Sequence, residues 1–180
     1  LFSTRILRLF AYGSLSVILA LYLVETGLTE RTIGLLFSLT LAGDAGISLW
    51  LTTSADRIGR KRMLLLGSLL MILAGVVFLL THNLFLLTAA AIIGVISPSG
   101  NEIGPFLSIE QAALSQLVPD KQRTKIFAWY NLSGSFATAT GALVSGWLAK
   151  ILQSNGWNTL DSYRFILSGY AMAGVFLFIL

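Results

Sequence analysis

Asp56-Arg57-Ile58-Gly59-Arg60-Lys61-Arg62 runs straight into MLLLGSLLMILAGVVFLLT, the stretch from Met63 to Thr81. Five of the first seven residues are charged and none of the next 19 is. As a helix those 19 residues would measure ~28 Å at 1.5 Å per residue, close to the ~30 Å hydrocarbon core of a bilayer. A basic cluster against one end of such a run marks the cytoplasmic end of a membrane span. Working outward from it organises the rest of the chain.

The whole chain has the composition that this run implies. Of 180 residues 56% are hydrophobic and only 11% charged, with a mean hydropathy of +0.82. Soluble domains are ~45–50% apolar and ~25% charged, and a fold of this length cannot hide so much apolar surface. The absence of cysteine removes a disulfide framework and any thiolate metal site. With a single histidine, neither a metal centre nor a Ser-His-Asp apparatus is expected. No enzymatic role, cofactor or metal follows from these residues. Leu1 and Leu180, the second inside an apolar run, suggest a fragment of a longer chain.

Six spans are expected, over residues 6–24, 33–55, 63–81, 84–118, 126–148 and 165–180. The fourth is broken by Pro98 and Pro105, each of which lacks a backbone donor. Its two pieces of 13 residues are ~20 Å long, too short to cross singly. Treating them as one span places Arg5, Arg8, Arg57, Arg60, Lys61, Arg62, Lys121, Arg123 and Lys125 on one side. Only Arg31, Lys150 and Arg164 fall on the other, a split of nine to three. Two separate spans would even the split to six against six. The positive-inside rule therefore selects one broken span and a cytoplasmic N-terminus in a multi-pass cell-membrane protein. The basic residues are explained as topology, and no nucleic-acid partner is expected.

Ionisable residues at membrane depth are costly and usually face a cavity or a partner. Asp44 lies at the middle of the second span, with Thr40, Ser48 and Thr52 at four-residue steps on one face. It serves either as an acid on a transport path or as a packing residue bonded to another helix. At the break, Gly100 and Gly104 flank Asn101 and Glu102. Irregular backbone is tolerated there only inside protein or against water, and discontinuous helices often form solute or ion sites. Glu110 and Gln111 follow on the inner half of the span. Asp44, Asn101, Glu102, Glu110 and Gln111 are thus the candidate substrate or ion-coupling residues. A carboxyl suits coupling because burial favours its neutral form and a nearby cation its charged form. In the fifth span Gly134, Thr138, Gly141 and Ser145 recur at steps of four, three and four, a rhythm that lets helices approach closely.

The loop from Ala55 to Lys61 resembles the signature of the major facilitator superfamily, Gly-x-Leu-Ala-Asp-Arg-x-Gly-Arg-Arg/Lys. Upstream it departs, with Thr52 in place of the Gly and Ser54 in place of the Leu. Pro119-Asp120-Lys121-Gln122-Arg123 is similar to that family's short loop after its fourth helix. The resemblance implies an all-α integral membrane fold, residues 1–180 forming the N-terminal six-helix half of a twelve-helix bundle. It also implies a gating loop of Asp56, Gly59, Arg60 and Lys61, with Asp56 and Arg60 holding the inward gate. Drug–proton antiporters of the family typically carry Gly-Pro in the fifth helix, whereas Gly141 is followed here by Ala142. Many also carry an arginine in the fourth helix, yet no Lys or Arg lies between Arg62 and Lys121.

Two functions follow from this reading. The first is a secondary transporter moving a small solute by alternating access, with proton or cation coupling. Its partners would be a small-molecule or ion substrate, the lipid bilayer and the missing C-terminal half. The second is a receptor-like or assembly module that keeps the fold without transport. The membrane-depth acids and the Asp56–Arg60 loop favour the first.

Overall fold

The structure is a computed structural model. It describes residues 1–81, 83–94, 96, 98, 100 and 105–180, without the side chains at 51, 52, 55–58, 60 and 105. These residues are helical almost throughout: α1 (Phe2–Glu25), α2 (Glu30–Ile58), α3 (Arg60–Leu80), α4 (Leu84–Ile93), α5 (Pro105–Leu117), α6 (Asp120–Ser154) and α7 (Thr159–Ile179). Four of them, α1, α2 over Glu30–Trp50, α3 over Lys61–Leu80 and α7, are long and apolar enough to cross a membrane. At 35 residues α6 is longer still, ~52 Å, but Ser, Thr and Gly dilute its apolar character.

Each helix starts and stops for local reasons. The N-terminus of α4 is capped by Asn83, whose side chain accepts from the amides of Phe85 and Leu86. In the same way Asn158 accepts from Leu160 N and opens α7. Glu30, Asp120 and Asp161 lie in the first turns of α2, α6 and α7, where a negative charge complements the helix dipole. Pro105 begins α5, since a helix's first position needs no amide donor. Between α2 and α3 the chain reverses at Gly59, whose φ of +101° is open to glycine at little cost.

The expected spans 6–24, 33–55 and 126–148 sit inside α1, α2 and α6, which run further into the flanking charges, while 63–81 and 165–180 overrun the ends of α3 and α7 by one residue. The stretch expected to form a broken fourth span holds α4 and α5. At 10 and 13 residues, or ~15 and ~20 Å, neither is long enough to cross alone.

At the centre stands α1, packed chiefly on α6 and α7. It buries Leu15, Ile18, Leu19, Tyr22 and Leu23, and the Tyr22 hydroxyl donates to the Phe78 carbonyl at 2.8 Å. Around it α3 packs on α7, and α2 on α4. The small residues of α6 face α1. A Cβ at Gly141 would overlap the Phe10 carbonyl, and one at Gly13 the Thr138 carbonyl. Ser14 Oγ donates to the Gly141 carbonyl at 3.1 Å. Large apolar side chains cover the outside instead, among them Leu35, Leu49, Phe136, Leu143 and Phe176. Charged groups inside and leucine outside is the distribution that lipid, not water, stabilises.

Candidate functional site

Arg8 and Glu110 form the polar centre of the bundle. Arg8 comes from the second turn of α1 and Glu110 from the middle of α5. Arg8 Nη1 donates to Glu110 Oε1 at 3.0 Å, and Nη2 to Oε2 at 2.7 Å. Such a two-pronged guanidinium–carboxylate contact fixes direction as well as distance. The Tyr130 hydroxyl of α6 also donates to Oε2, and Thr4 Oγ1 lies 3.1 Å from Oε1. The Arg8 guanidinium lies 4.4 Å from the centre of the Phe106 ring, so its face is covered as its edge is bonded. One turn earlier Arg5 stacks 4.0 Å over the Tyr130 ring and donates to Asn131 Oδ1 at 3.3 Å. Three helices are joined at one carboxylate.

Counting Arg5 and Arg8 as loop charges is therefore corrected: both are buried inside the bundle. Their alkyl stems and aromatic neighbours make burial tolerable, and Glu110 neutralises one charge. The remaining loop residues still divide seven to three: Arg57, Arg60, Lys61, Arg62, Lys121, Arg123 and Lys125 against Arg31, Lys150 and Arg164. Beside the ion pair is a cavity of about 410 Å³ with Lys61, Ser68 and Phe106 on its walls. It lies where α1 and α3 begin and α7 ends.

Asp44 occupies a different setting. It is 1% exposed, at the middle of α2, and neither carboxylate oxygen has a hydrogen-bond partner among the described residues. Thr40, one turn before, is buried and donates to the Leu36 carbonyl at 2.8 Å. Tyr12 of α1 and Tyr170 of α7 are both buried. The rings of Tyr12 and Tyr170 lie 6.2 Å apart. All three residues fall near the middles of their helices.

The remaining candidates divide by position. Gln111 is half-buried on α5 beside Glu110, and Lys61 is exposed at the start of α3. Gly59 makes the tight turn expected of it. The side chains of Asp56 and Arg60, and Asn101 and Glu102 entirely, lie outside the described residues. Glu110 and Lys61 line the same cavity, whereas Asp44 stands apart from that cavity's lining. Arg8, Tyr130, Tyr12 and Tyr170 were not among the expected site residues. For Arg8 the available signal was an arginine seven residues into a long apolar helix. A tyrosine in an apolar run carries no comparable signal.

The profile of the Major Facilitator Superfamily matches residues 1–180. An uncharacterized membrane protein of Saccharomyces cerevisiae is 42% identical over 173 residues, covering 95% of this chain and 39% of that protein. The quinolone resistance protein NorA of Staphylococcus aureus is 24% identical over 139 residues, covering 77% of this chain and 34% of NorA. The chain thus spans less than two fifths of the length of either relative. With the profile match running from end to end over a helical, lipid-facing bundle, the chain belongs to the Major Facilitator Superfamily.

Proposed function

We propose that residues 1–180 are the N-terminal six-span half of a secondary transporter that moves a small solute by alternating access, coupled to a proton or cation at Asp44. The observation that carries this reading is a buried carboxylate midway along α2 with no hydrogen-bond partner among the described residues. A charge there costs ~2.5–3.5 kcal/mol on insertion scales, and function is its usual reason. Glu110, engaged by Arg8, Tyr130 and Thr4, serves as the joint between α1, α5 and α6 and leaves coupling to Asp44. In the same reading Asn101 and Glu102 at the break and Gln111 on the inner half of the span serve the solute.

Two features support six spans and a second half. Trp129 and Trp147 of α6 are both exposed and 18 residues apart, five helical turns or ~27 Å, so they point the same way. That spacing suits one indole at each membrane interface and supports α6 as the fifth span. On α2, Gly34, Ser38, Ala42 and Ala45 are exposed at steps of four, four and three, and on α6 so are Ser135 and Ala139. Small residues in these rows admit close approach by further helices, which the greater length of both relatives would supply.

The test begins with the intact protein in detergent, screened against small solutes by thermal stabilisation. A solute that stabilises it is then followed in proteoliposomes. Accumulation driven by a pH or cation gradient is the expected result. Counterflow without accumulation under any applied gradient would remove coupling, and absence of both for every stabilising solute would remove transport.

A further inference from the structure

One wall of the cavity beside the Arg8–Glu110 pair follows a single helix. Lys61, Leu64, Leu65 and Ser68 of α3 all line it, and their steps of three, one and three put them on one helix face. The row runs from the charged end of α3 ~10 Å inward. Across from it stand Thr4 and Arg8 of α1, Phe106 and Glu110 of α5, and Leu177 of α7. Lys61 and Leu180, both exposed, mark the mouth of a slot of about 410 Å³.

The polar side chains on the walls are satisfied from within, with one exception. Arg8 and Glu110 bond each other, Thr4 donates to Glu110, and Ser68 donates to the Leu64 carbonyl at 2.7 Å. Lys61 makes no hydrogen bond or ion pair among the described residues. A ligand in the slot thus meets one open charge, positive, at the mouth. Beyond it lie leucine, phenylalanine and closed hydrogen bonds. A cation is repelled there, and a sugar or amino acid would bury polar groups that nothing can bond. An anion with an apolar body meets both demands.

We infer that this slot takes an acidic phospholipid of the cytoplasmic leaflet, its phosphate on Lys61 and the first carbons of one acyl chain between Leu64, Leu65 and Leu177. The inference goes beyond transport and uses neither the solute nor the coupling. Its source of ligand follows from the basic cluster that ends in Lys61 and Arg62. The positive-inside rule assigns such a cluster to the cytoplasmic face, where acidic lipids give the leaflet its negative surface potential. Basic pockets between helices on that side suit phosphate head groups, and a lysine meets a phosphate as a point charge. Arg62 is exposed beside Lys61 but off the lining row, which makes it the natural control.

Native mass spectrometry of the intact, delipidated protein in detergent tests this without any transported solute, so the slot can fail while transport stands, and the reverse. Phosphatidylglycerol should bind about fivefold tighter than phosphatidylcholine, the worth of one basic residue at an anionic surface. Lys61→Gln should remove that preference, Lys61→Arg should keep it, and Arg62→Gln should leave it in place. Leu177→Trp, which narrows the slot, should weaken both lipids; should it fail to fold, Leu65→Phe replaces it. A preference that survives Lys61→Gln, or that falls equally in Arg62→Gln, overturns the site. Displacement of the lipid by an equal concentration of glycerol phosphate overturns the lipid in favour of a soluble anion. Equal retention of the two lipids by the wild type, as when another part of the intact protein covers the slot, overturns it as well.

Discussion

Arg8 and Glu110 meet through two hydrogen bonds, of 3.0 and 2.7 Å, although 102 residues separate them and both are buried. Their contact ties the first turns of α1 to α5. Tyr130 adds α6 to the same carboxylate.

Removing one partner leaves the other charge buried and uncompensated, which costs ~3–5 kcal/mol. Glu110→Ala should therefore lower the thermal stability of the intact protein sharply, and Arg8→Met should do the same. The double variant should lose less than the sum of the two. A measured double-mutant cycle with additive losses would mean that the pair carries no coupling energy.

Gly141 and Gly146 make a matched pair of controls on α6. A Cβ at Gly141 meets the Phe10 backbone, while one at Gly146 meets nothing within 4 Å. Gly141→Ala should destabilise by ~1–3 kcal/mol through forced separation of α1 and α6. Gly146→Ala should be neutral or stabilise by up to ~1 kcal/mol from helix propensity. Thermal unfolding of the two variants checks the order.

The loop charges set a topological expectation. Cysteines at Lys61 and Lys121 should resist a membrane-impermeant thiol reagent in intact cells, and one at Lys150 should react. Labelling at Lys121 but not at Lys61 would show that α4 and α5 cross separately.

The turn between α2 and α3 is expected to act as a latch, by its likeness to the family's gating loop. Asp56→Asn and Arg60→Ala should insert normally and slow transport by shifting the balance of inward- and outward-open states. Unchanged rates and unchanged cysteine accessibility in both variants would leave the loop a topological signal alone.

Much of the architecture was legible because lipid imposes simple rules. The charge-free run from Met63 to Thr81 became α3, and Pro105 with Pro119 bounded α5. The four small residues of α6 announced a close helix contact, which proved to be with α1. Asp44 stood out because its neighbours at four-residue steps are polar. Arg8 was misplaced because its distance from the chain start matches a flanking loop charge. Only the packing of α5 shows that it points inward to a carboxylate. Tyr130 could not be singled out, since a tyrosine among apolar residues serves equally in a core, at an interface or on an ion pair.

The central claim is that Asp44 couples solute movement to an ion gradient, and it separates cleanly from solute binding. The measurement is counterflow alongside gradient-driven accumulation in proteoliposomes holding the intact protein, wild type and Asp44→Asn. The account predicts that the variant keeps exchange within a few-fold of wild type and loses uphill accumulation. A variant that still concentrates solute against its gradient as the wild type does would contradict it.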